Sequence, residues 1–142
     1  MNENESYIRW QNIRITQLGF ANNLIILLSV ALLGFYVKFL ETCGCLNNIQ
    51  KFFICVCFML IIISIILGFI VMLNRLDDFK LTAQIARKRE TDQRNGIEKD
   101  RTQAKELGKK TYSYFIWQVV TFLGAFISGF IIVVVEFSDK LF

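Results

Sequence analysis

The sequence predicts an all-α membrane protein with three transmembrane helices, the second and third joined by an antiparallel helical hairpin. Three observations carry that prediction. The apolar residues are gathered into three long runs, in a chain of 142 residues that is 54% hydrophobic and holds 14 Phe. The chain contains no Pro, so nothing removes a backbone donor from a long helix. Basic residues crowd the segment between the second and third runs, the asymmetry that membrane insertion reads.

The first run extends from Leu18 to Val37, interrupted by Asn22, Asn23 and Ser29. The second, Phe52 to Leu73, is free of charge, and the third covers Tyr112 to Val135. About 20 apolar residues cross the hydrocarbon core as a helix, and lipid leaves a spanning segment no other way to satisfy its backbone amides. These runs predict spans at 18–38, 52–73 and 112–135. The first is too long for a signal-peptide core, and no small-x-small cleavage site follows it.

Ahead of the first span, residues 1–17 place Tyr7, Ile8 and Ile15 beside Arg9, Gln11 and Arg14, which suggests a short interfacial helix. Between the second and third spans, Leu76, Phe79, Ala83 and Ala86 recur in a heptad-like phase. After Asn95-Gly96, a strong turn signal, Ile97, Ala104, Leu107, Thr111 and Tyr114 repeat a similar phase. Segment 74–111 is therefore expected to be a hairpin continuous with both spans, with these two sets of residues as its seam. Glu90 with Arg94 and Glu106 with Lys110 are spaced for ion pairs along exposed arms. Residues 136–142 form a short tail.

Sidedness follows from the basic residues. Segment 74–111 carries eleven of the 16 Lys and Arg residues, and Arg9 and Arg14 lie on the same side of a three-span chain; Lys38, Lys51 and Lys140 are left for the other. The N-terminus and hairpin are expected in the cytoplasm and the C-terminus outside a cell (plasma or inner) membrane. Arg75, Lys109 and Lys110 stand where they can anchor lipid headgroups. Tyr7, Trp10, Tyr36, Tyr112, Tyr114 and Trp117 fall near span ends, as interfacial aromatics do.

No catalytic constellation is present. The chain has no His, and it lacks nucleophile-elbow, phosphate-loop and zinc-protease motifs. Asp77-Asp78 sits between Arg75 and Lys80 and reads as a salt-bridged helical segment. No cofactor and no metal site is expected, since Cys55 and Cys57, two residues apart on one helix, converge poorly on a tetrahedral ion. On the outer side, a disulfide from Cys43 or Cys45 to Cys55 competes with free thiols. Seven acids dilute the charge of 74–111, so nucleic acid is not an expected partner.

Small and hydrogen-bonding residues form one stripe on each span. The third carries Gln118, Thr121, Gly124, Ala125, Ser128 and Gly129, suited to helix packing or self-association. Cys57, Ser64 and Gly68 share a side of the second, and Asn22 and Ser29 a side of the first. Three arrangements are open to them: packing within one chain, contact between copies, and the lining of a pore. No ionisable residue lies deep in a span, which argues against proton-coupled transport and voltage sensing. The expected function is non-enzymatic: an oligomeric membrane effector or channel-like protein controlled through its hairpin, or an accessory or scaffold subunit of a membrane complex. The expected partners are the lipid bilayer, further copies of the chain, and a cytoplasmic protein at the hairpin.

Overall fold

A computed structural model describes residues 3–42, 47–90 and 96–141, with side chains left aside at 3–12, 14, 89, 90, 137 and 139–141. Three α-helices account for almost all of it: α1 (Glu3–Thr42), α2 (Asn48–Glu90) and α3 (Ile97–Leu141). All three are long and apolar enough to cross a membrane. Their lengths of 40, 43 and 45 residues correspond to rods of about 60–68 Å at 1.5 Å rise per residue. Such rods are about twice as long as a hydrocarbon core of about 30 Å is thick. The first helix has no break between residues 3–17 and the apolar run, so the N-terminal segment extends the same rod and is not a separate element.

Local chemistry sets the ends of α2 and α3. At the start of α2, Asn47 Oδ1 accepts from the Asn48 amide at 2.7 Å and the Asn47 amide donates to Gln50 Oε1 at 2.8 Å, the half of a capping box in which the N3 side chain reaches back. Gly96 precedes α3 with φ of 89°, a left-handed conformation that suits glycine. Its carbonyl accepts from Asp100 N at 3.1 Å, opening the helix.

Side-chain contacts fix the topology. Gln50 Nε2 donates to Glu136 at 3.1 Å, Ser64 Oγ to the Gln118 carbonyl at 3.2 Å, and Lys88 pairs with Asp100 at 2.6 Å. Low numbers on α2 meet high numbers on α3 along its whole length, so the two helices form one antiparallel hairpin. The α2 seam steps through Ile54, Cys57, Ile61, Ser64, Gly68 and Val71, all buried. It continues through the half-buried Asp78, Leu81, Ile85 and Lys88. The α3 seam runs through Ile97, Asp100, Ala104, Leu107, Thr111, Gln118, Ala125, Gly129 and Ile132.

On the far arm the expected seam holds at Ile97, Ala104, Leu107 and Thr111, whereas Tyr114 is exposed. On the near arm it does not: Leu76, Phe79, Ala83 and Ala86 are all exposed. Two stripes with the same 3-4-3 spacing run up opposite sides of α2, and the one in heptad phase with Ser64 and Val71, through Asp78 and Ile85, faces α3. Among described side chains the ion pairs are Lys38–Glu41, Lys80–Asp77 and Lys88–Asp100. Glu106–Lys110 is not one of them, and Glu90–Arg94 lies outside the described residues.

Glycine contrasts test this arrangement. Gly96→Ala should cost about 1–2 kcal/mol, because a Cβ is strained at its positive φ. Gly108→Ala should instead stabilise by roughly 0.5–1 kcal/mol, since a Cβ at that helical position meets nothing within 4 Å. Reversible unfolding of purified protein in mixed micelles measures both, and opposite signs are the expected result.

Candidate functional site: the polar seam where three helices meet

Every polar side chain with a buried position in the three apolar runs points toward the helix junction. Asn22 is 2% exposed, and Ser29, Ser64 and Gln118 are fully buried. Outer faces carry residues such as Phe20, Leu27, Phe52, Ile66, Phe69, Val120, Ile127 and Phe130, exposed and apolar. The stripes on Asn22 and Ser29, on Cys57, Ser64 and Gly68, and on the third span therefore pack on one another inside a single chain.

Glycines organise three crossings, one on each helix. At one end, Arg75 of α2 reaches α1 and donates to the Ile15 carbonyl, and Gly19, one turn later, leaves room for the guanidinium. At the other end, Tyr36 of α1 donates to the Ala125 carbonyl at 3.2 Å, and its ring occupies the space where a Cβ on Gly129 would lie. A helical side chain covers the turn preceding its own Cα. Glycine at position i thus uncovers the carbonyl at i−4, and both acceptors stand four residues before their glycine.

The central crossing lies at Gly68. Asn22 Nδ2 donates to the Gly68 carbonyl at 3.3 Å. A Cβ on Gly68 would come within 2.6 Å of Gln118 Nε2 and 2.7 Å of Ile26 Cγ1, so all three helices close on this residue. Asn22 Oδ1 and both ends of the Gln118 carboxamide have no hydrogen-bond partner in the protein. One turn before Gly68, Ser64 donates to the Gln118 carbonyl and completes the contact between α2 and α3.

Around Tyr36 the seam becomes apolar, with Phe39, Ile54, Cys57, Ile61, Ala125 and Ile132 forming the main cluster. The Tyr36 and Phe58 ring centroids are 6.3 Å apart. An apolar cavity of about 250 Å³ opens beside Tyr36 between α1 and α3, lined in part by Leu32, Phe126 and Val133.

Of the sequence-predicted residues, Gln118, Ala125 and Gly129 are buried at this junction, and Thr121, Gly124 and Ser128 are half-buried beside it. Gly124 faces Leu60 at 3.8 Å from its would-be Cβ. Within the protomer these residues pack against the other two helices. Arg75, expected to hold headgroups, has its guanidinium directed to α1, while Lys109 and Lys110 are exposed. Cys55 is an exposed free thiol and Cys57 a buried one; Cys43 and Cys45 lie outside the described residues.

A position near a span end suggests an interfacial role for Tyr36, yet the residue is only 3% exposed. Its spacing offered a signal: Asn22, Ser29 and Tyr36 recur every seventh residue, on one helix side with a drift of about 20° per step. Among the described residues, no group of three His, Cys, Asp or Glu is placed to hold a metal. No family model matches the chain, and neither the curated proteins nor the solved structures contain a match.

Gly129→Ala should force Tyr36 out of its seat and destabilise the protein by about 1–3 kcal/mol, the usual range for overpacking. Combining it with Tyr36→Ala checks the cause. If the tyrosine ring is the obstacle, the double variant is no less stable than Tyr36→Ala alone. Additive losses in a double-mutant cycle of unfolding free energies would refute the seat.

Proposed function

We propose that this protein is a non-enzymatic subunit of a membrane complex, spanning the cell membrane three times and presenting the α2–α3 hairpin to a cytoplasmic partner. One observation carries the reading: α2 and α3 each continue without interruption from apolar span to polar hairpin, so both arms are rigidly tied to the membrane part. On the positive-inside rule, Arg9, Arg14 and the eleven basic residues of 74–111 favour the cytoplasmic face, against Lys38, Lys51 and Lys140. In this arrangement the lipid bilayer covers the apolar outer faces of the spans.

The oligomeric effector reading draws less support. A pore assembled from several copies needs polar groups on its walls. Asn22, Ser29, Ser64 and Gln118 are instead consumed in packing within the protomer. Contact between copies through Gly129 or Ala125 would first require α1 and α2 to move away from α3.

Two measurements separate these readings. On overexpression, the subunit reading expects unchanged membrane potential and dye exclusion; copy-dependent leakage would overturn it in favour of the effector. With the native cysteines replaced, a cysteine at Gln103 should react only with reagents that reach the cytoplasm, and one at Ser138 with impermeant reagents from outside. The reverse pattern would invert the topology.

A further inference from the structure

The cavity beside Tyr36 lies wholly within the apolar runs of α1 and α3. From α1 it takes Leu32, Phe35 and Tyr36, spaced i, i+3, i+4; from α3 it takes one helix side between Phe126 and Val133, with Gly129 at the centre. Tyr36 and Gly129 are buried and form its floor. Around the mouth stand Phe35, Phe126 and Phe130, which are 50%, 48% and 60% exposed. Protein interiors are close-packed, with few voids larger than a water molecule, and this one measures about 250 Å³.

We infer that this cavity binds one hydrocarbon chain of a membrane phospholipid, and holds it more persistently than the lipid along the outer faces. Such binding needs only the apolar spans and is independent of any partner at the hairpin. The lining selects the occupant, because its surface is apolar throughout. The one polar atom nearby, the Tyr36 hydroxyl, is spent on the Ala125 carbonyl. A water, an ion or a polar cofactor would lose its hydrogen bonds on entry and gain none. An apolar cavity of about 150 Å³ already stays dry and takes a guest the size of benzene, so the larger one here has room for a chain segment.

Depth and direction also suit an acyl chain. Counted inward from Val37, the α1 positions lie about 2–8 Å inside the first apolar run, and counted from Val135 those on α3 lie about 3–14 Å inside the third. That is the depth of the upper part of the chains in one leaflet. Spanning helices tilt by only about 20° on average, so a groove between α1 and α3 runs nearly along those chains. A further helix, whether from a second copy or another protein, fits worse. At about 10–12 Å across it would rest on the three Phe rings and stop short of the buried floor, whereas a flexible chain passes between them.

The test uses the full-length protein in nanodiscs of phosphatidylcholine whose acyl chains carry a diazirine. After photolysis, peptide mapping should find adducts at Phe35, Phe126 and Phe130 about fivefold more often than at Ile127 and Ile131, which lie at the same depth on the outer face of α3. Val133→Trp and Leu32→Phe fill the cavity from opposite helices. Either should abolish the excess and leave the labelling of Ile127 and Ile131 unchanged. Phosphatidylglycerol with the same chains should give the same pattern, because the site reads the chain and not the headgroup. Equal labelling of cavity and outer-face residues in the unaltered protein overturns the inference by itself, since only bulk lipid is then present. An excess that survives both filling variants, or that needs the anionic headgroup, overturns it too. So does a disulfide formed between copies by a Phe126→Cys variant in native membranes, which would give the mouth to a second copy.

Discussion

The arrangement of the three helices depends on backbone carbonyls that lie open because a glycine follows one turn later. In a helix every carbonyl in the interior already accepts one amide, and its second lone pair is normally screened by the side chain at i+4. Gly19 and Gly129 remove that screen, and Arg75 and Tyr36 use the opening. A contact of this kind joins close approach to a directional bond, so it fixes the register between helices as well as their distance. Each such bond contributes on the order of 0.6 kcal/mol in membrane proteins, and the accompanying packing supplies the rest.

A consequence is an uneven fold. The second and third helices share a seam from Ile54 to Lys88 on one side and from Ile97 to Ile132 on the other, without a gap. The first helix is held along that pair at spaced points: Arg75, Asn22 and Tyr36, with the aromatic and apolar cluster at one end. The hairpin is thereby a single mechanical unit with two of the three spans, and α1 is the element whose attachment depends on individual side chains.

Much of this was legible in the residues. Three apolar runs, the hairpin turn at Gly96 and the inward stripes at Asn22, Ser29, Ser64 and Gln118 all follow from composition and period. The near-arm seam was not, because Leu76, Phe79, Ala83 and Ala86 mimic a packing stripe as well as Leu81 and Ile85 do. Only the heptad phase inherited from Ser64 and Val71 separates the two. Tyr36 was hidden by a similar ambiguity, since an aromatic residue near a span end satisfies both an interfacial and a buried explanation.

The sequence by itself determined that the chain is helical, where it is apolar, and where it turns, because these follow from local backbone sterics and from hydrophobic runs read one segment at a time. Tertiary structure alone decided which of two like-spaced faces the near arm of α2 turns inward, and what Arg75 and Tyr36 touch. It set Arg75 against α1, lodged Tyr36 over Gly129, and left Leu76, Phe79, Ala83 and Ala86 exposed. The physical reason is that period alone leaves two faces eligible where two stripes share a spacing, or where an aromatic residue lies near a span end. The rotation of a helix is then set by the few positions where a neighbouring helix can come close enough to bond the backbone, and those positions are properties of pairs of helices.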